Sequence, residues 1–247
     1  MRRTTPLIAA ATALVFLSAG CSDDLVCPEL AGTVPYVSAF VAQRSAGEEG
    51  STHAEVVCTA DPLPSQLITF INRRELHVVV PAQGLDVFAT VDDDVVLWQP
   101  GISCFLEVTT NYGYATSTVV MPAAAAVTAP AEIPLGDGLE LLWESVTDAD
   151  YYVVSAVLVS EPGAPVRGAP GSRDTLVLST ITRETSATFP PESLTSTGVV
   201  SGFVEAVAGP FPESGAAGNI SGDGWGFFSL RYRDCGSGFE VVVSDVP

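Results

Sequence analysis

Five cysteines and two histidines hold most of this chain's options for nucleophilic or metal chemistry, and their spacing closes most of them. None of Cys27, Cys58, Cys104 and Cys235 falls in a CxxC motif or a Cys/His cluster with zinc spacing. His53 and His77 stand singly on apolar runs, neither belongs to an HExxH pair, and no serine sits in a GxSxG elbow. No nucleophile and base can be paired, so no catalysis is expected. Carboxylates are plentiful, with Asp92, Asp93 and Asp94 in succession and Asp148 and Asp150 at a turn. Neither group has the DxDxDG spacing of a calcium loop, and three successive residues of an extended strand point to alternating sides. They read as solvated turns, with no metal or cofactor expected. The stretch SGDGWGFF, Ser221 to Phe228, has GxGxG spacing but leads into a strand rather than a helix. It therefore has no row of helix-start amides for a phosphate and reads as a glycine-rich turn or bulge. Tyr112 and Tyr114, in NYGY at an expected hairpin tip, form the most plausible binding patch, because such a tip lifts side chains clear of a sheet.

The elements that must position these residues are strands. Between residues 35 and 120, apolar runs such as YVSAFVAQ, HAEVVCTA, QLITFIN, SCFLEVTT and YATSTVV recur every eight to twelve positions. Several alternate with period two. No segment sustains a helical period. MPAAAAVTAPAEIP, residues 121–134, reads as a proline-bracketed linker too short in alanine for an independent helix. A second series follows, including LELLWESV, YYVVSAVLVS, DTLVLST, VVSGFVEAVA, GFFSLRYR and FEVVVSD. The expectation is an all-β chain of two tandem β-sandwiches, residues 35–121 and 135–247, joined by a linker at 122–134.

The formal charge of −19 and the lack of any lysine make a surface that repels nucleic acid and anionic head groups, so no nucleic-acid partner is expected. A hydrophobic content of 47% is ample for two packed cores.

The amino terminus has a different pattern. Arg2 and Arg3 precede the apolar run Leu7 to Leu17, and no charge follows until Asp23. Small Ala19 and Gly20 stand directly before Cys21, with Leu17 four positions ahead and Ser18 where the pattern usually has leucine. The stretch resembles a bacterial lipoprotein signal. The resemblance implies a signal peptide at residues 1–20 and a tether at 21–34. Cys21 then carries a diacylglyceryl thioether and an acylated amine, so the membrane is a partner through a multi-chain lipid anchor. Ser22 after that cysteine resembles the signal for transfer to the outer membrane, and Asp23 and Asp24 resemble the acidic start of some surface-export signals. The other four cysteines are even in number and the compartment is oxidising, so disulfides are favoured, with three pairings open.

Two family resemblances narrow the sandwiches. Residues 130–234 resemble a fibronectin type III domain. Trp143 falls late in a second strand, SVTDADYYVVSAVL turns into a third strand with Tyr151 or Tyr152 entering the core, and Leu194 starts the E–F corner. Val204, Ala206 and Val207 match the inward and terminal positions of the F strand, while Val200 replaces the corner tyrosine. The first half resembles an immunoglobulin-like domain, with Cys58 and Cys104 separated as in strands B and F and CFLEVTTNYGYATS as an F–G hairpin turned at Gly113. That resemblance implies a Cys58–Cys104 disulfide, with Phe70 or Ile68 in place of the usual core tryptophan and Phe70 filling the volume beside the bridge. Cys27 and Cys235 remain as a second pair. The implied function is a lipid-anchored envelope protein acting as a structural or interaction module. The alternative is an accessory lipoprotein that binds a glycan or an envelope protein.

Overall fold

A computed structural model describes residues 34–43, 52–79, 88–92, 99–160 and 175–245. The expected signal peptide and all but the last residue of the expected tether, with Cys21 and Cys27, lie outside them. No helix among the described residues is long and apolar enough to cross a membrane.

Alternation of apolar and polar residues builds the first sandwich directly. Its strands are β1 (Tyr36–Gln43), β2 (Thr52–Thr59), β3 (Leu67–Ile71), β4 (Arg74–Glu75), β5 (His77–Val79), β6 (Phe88–Asp92), β7 (Ser103–Thr110) and β8 (Gly113–Val120). One sheet runs β1-β2-β6-β5 and the other β8-β7-β3-β4. Labelled in chain order, these are A-B-E-D against G-F-C-C′, the immunoglobulin arrangement. Val37, Val41, Val56 and Cys58 from the first sheet meet Ile71, Cys104, Leu106 and Val108 from the second in one core. In β3 the inward residues are Leu67, Thr69 and Ile71. Ile68 and Phe70 lie on the outer face, so the expectation that Phe70 fills the core beside the cysteines is corrected. A phase error of one residue exchanges the two faces of a strand.

The second sandwich contains β9 (Val127–Thr128), β10 (Glu132–Pro134), β11 (Leu139–Trp143), β12 (Tyr151–Ser160), β13 (Thr175–Thr182), β14 (Ser186–Phe189) and β15 (Gly198–Ala208). Three further strands follow: β16 (Ser221–Gly222), β17 (Trp225–Tyr232) and β18 (Gly238–Ser244). The sheet β9-β11-β14 packs on one formed by β13, β12, β15, β18 and β10. Trp143 and Tyr152 meet edge to face in its core, ring centroids 5.2 Å apart, and the Tyr152 hydroxyl accepts the Val146 N–H. Of the two tyrosines, Tyr152 enters this core. Tyr151 lies in a satellite cluster with Val153 and Val207, against Phe211. Residues 122–134, expected as a linker, supply β9 and β10 and place Ala125 and Ile133 in the second core. The strands are too short and proline-broken for alternation to show in the sequence.

The segment between β15 and β18 departs furthest from the tandem expectation. β17 follows β15 in a long hairpin, yet it pairs in parallel with β1 over eight positions, Tyr36↔Trp225 to Gln43↔Tyr232. β16 pairs antiparallel with β8. β15 therefore shares one edge between two strands, with Gly198 to Phe203 opposite β18 and Ala206 to Ala208 opposite β17. A ten-stranded sheet results, running through both sandwiches. Ile220, Phe228 and Leu230 are buried in the first core although they lie in the second half of the sequence.

Candidate functional site

Cys58 and Cys104 occupy the facing sheets of the first core as expected, but both are free thiols, and the Cys58–Cys104 disulfide is not formed in this structure. Burial pushes the Cys58 thiol up to about 12. Burial does the same to Cys104, to about 11, partly offset by a hydrogen bond from Asn72. Such thiols are poor nucleophiles and poor ligands at neutral pH. Thr69, on β3 where the resemblance leads one to expect a tryptophan nearby, has a buried hydroxyl with no hydrogen-bond partner. Cys235 is an exposed thiol in the short 3-10 turn Cys235–Ser237 between β17 and β18. Its expected partner Cys27 lies outside the described residues.

The two tyrosines of the expected patch are in different situations. The half-buried Tyr112 donates its hydroxyl to the Pro62 carbonyl at 2.8 Å, which fixes it against the loop before β3. Tyr114 is 43% exposed and donates to Glu107 at 2.7 Å. That bond, foremost, raises its phenol above the ordinary range. The outer face of β3, β7 and β8 also carries Phe70 and Phe105, with Phe105 37% exposed. The tip itself is not free. The Tyr114 N–H donates to the Asp223 carboxylate at 3.0 Å, and its carbonyl accepts the Asp223 N–H at 2.9 Å.

The remaining candidates stay dispersed. His53 lies on β2 beside Glu55, 3.8 Å away, and against Phe40; His77 is exposed on β5. The Asp150 carboxylate accepts the Gly209 N–H at 2.7 Å, and Asp148 occupies a turn with φ of 64°. Asp92 ends β6, while Asp93 and Asp94 lie outside the described residues. No group of three or more metal-ligating side chains occurs among the described residues.

What the structure does bring together is the junction between the sandwiches, where no sequence motif marks a site. SGDGWGFF is a glycine-rich turn, and it is also the contact between sandwiches. Gly226, at φ of 143°, lies so close to β1 that a β-carbon there would collide with the Val37 carbonyl. Gly222, at φ of 106°, stands in the same relation to the Tyr114 carbonyl. The Asn219 carboxamide pairs with both backbone groups of Phe228, at 2.8 and 2.7 Å, and the Asn219 backbone carbonyl accepts the Ser117 hydroxyl at 2.8 Å. Tyr36 packs edge to face on Trp225 at 4.8 Å. Nearer the second core, the buried Arg231 lies over Phe40 and Arg233 lies over Phe203, 3.9 Å from the buried Glu205. The one sequence signal for this was the density of glycines beside an alternating apolar run.

No protein-family model matches the chain, and no curated protein matches it. Among solved structures, the tandem Ig repeats of Dlar align over 81% of this chain and 98% of that chain, at 14% identity and a TM-score of 0.29. The chain is an all-β protein of two β-sandwiches, the first with immunoglobulin-like strand order.

Proposed function

We propose that this chain is a lipid-anchored cell-envelope protein in which two sandwiches act as one stiff, non-catalytic structural or interaction module. The second sandwich, with β9-β11-β14 as A-B-E against β13-β12-β15-β18 as C′-C-F-G, is read as fibronectin type III-like. The observation that carries the reading is the shared strand. Eight paired positions between β1 and β17 remove the freedom that a simple linker would leave, as a spacer requires. Anchoring rests on Cys21 after Ala19-Gly20, with the outer membrane as the destination and the periplasm or cell surface as the space faced. Replacing Cys21 by Ser removes the sulfur needed for the thioether. The variant is expected in the soluble envelope fraction or as an unprocessed precursor. Unchanged partitioning into detergent with the membrane would defeat the anchoring.

One observation favours the second reading, a glycan- or protein-binding accessory lipoprotein. Tyr114 and Phe105 are exposed on the outer face of the β8-β7-β3-β4 sheet, where a ligand could stack or dock. Tyr114→Ala would then abolish retention on the cognate envelope glycan or protein while leaving membrane anchoring intact. Unchanged retention of that variant would remove this reading.

A further inference from the structure

We propose that the first sandwich is a strand acceptor whose open edge, along β1 and β8, is closed as the last step of folding by residues 219–232 of the second sandwich's hairpin. The inference does not depend on membrane anchoring.

Acceptor and donor are each assembled from local contacts. β1 pairs with β2 and β7 with β8, partners near in sequence, and on the donor side β17 folds back onto β15. The union of the two is not local, because Tyr36 meets Trp225 about 190 positions away. Chain entropy therefore places that step after the formation of either partner.

The donor also holds its own shape. The Asn219 side chain clamps both backbone groups of Phe228, and the Asn219 N–H donates to the Gly226 carbonyl at 3.0 Å. The hairpin tip is thus ordered by bonds internal to it. The acceptor, in contrast, is incomplete without it. Before β17 arrives, the outer edge of β1 presents unpaired backbone groups, and the core around Val37 and Val41 lacks Ile220, Phe228 and Leu230. Recognition is specific along the whole edge. The Trp225 N–H reaches the Pro35 carbonyl at 3.0 Å, Asp223 bonds both backbone groups of Tyr114, and Gly226 admits the Val37 carbonyl. The sandwich synthesised first is consequently the one finished last, and it carries an open, aggregation-prone edge until the chain is nearly complete.

Pulsed hydrogen exchange during refolding of the full chain tests the order. The amides of β12 and β15 should gain protection first. The amides of β1, β2 and β7 should reach native protection later, with one rate constant that β17 shares. Native protection of β2 and β7 before β17 pairs with β1 would overturn the proposal. An equilibrium measurement on Gly226→Val provides a second test, since a valine side chain cannot fit against the Val37 carbonyl. Because the substitution breaks the β1–β17 union that couples the sandwiches, the expected result is a loss of protection of about tenfold or more in β1 and β2, with β12 and β15 retaining theirs. Unchanged protection in β1 and β2 would contradict it, and so would equal losses in both sandwiches.

Discussion

Thr69 and the two core cysteines show how single residues set the character of the first sandwich. The Thr69 hydroxyl is fully buried without a partner, and an unsatisfied buried hydroxyl costs free energy that a methyl group of the same shape does not. Thr69→Val is therefore expected to raise stability by about 1–2 kcal/mol in denaturant titration. No change, or a loss, would mean that the hydroxyl has a role here. Cys58 and Cys104 act through protons. Their thiols ionise in the folded state only near 12 and 11, while in the unfolded chain they ionise at about 8.5. Raised folded values mean that the stability is complete below pH about 8.5 and declines as pH rises toward 11 and 12, because only the unfolded state releases the protons. Urea midpoints measured under reductant should fall across that window. Joined as a disulfide, the sulfurs have no proton to lose, so the same titration without reductant also reports the state of the pair. The cysteines' shared core was legible from the alternation of HAEVVCTA and SCFLEVTT. The face of β3 was not, since QLITFIN is apolar at both phases and only packing decides between Phe70 and Ile71.

At the level of elements, most strands were visible because one face is buried and the other wet. YVSAFVAQ became β1 and YYVVSAVLVS became β12 with the expected extents. GFFSLRYR was equally visible as a strand, but its partner was not. A strand's alternation records that one face is buried, not which sandwich buries it, and pairing across about 190 positions leaves no local mark. The energetic consequence is testable at Phe228. Its ring is fully buried in the first core although it is carried by a hairpin of the second. Phe228→Ala should cost about 3–5 kcal/mol as a large-to-small core change. Hydrogen exchange should show the loss in β1, β2 and β7 and, through the shared sheet, in β12 and β15 as well. Loss confined to β12 and β13 would show that the ring serves the second sandwich instead.

For the whole molecule, the strand β17 joins the two sandwiches in one continuous hydrogen-bonded sheet. β17 is hydrogen-bonded to β1 on one side and β15 on the other, with the Glu205–Arg233 pair and the buried Arg231 at the crossing. A destabilising change in either core should be transmitted through this sheet, whereas tandem domains on a linker melt independently. Differential scanning calorimetry of the chain tests the role of the shared strand most directly. A single endotherm with equal calorimetric and van't Hoff enthalpies is expected, moved as a whole to lower temperature by Phe228→Ala. Two resolved transitions, with only one of them shifted by that substitution, would contradict it.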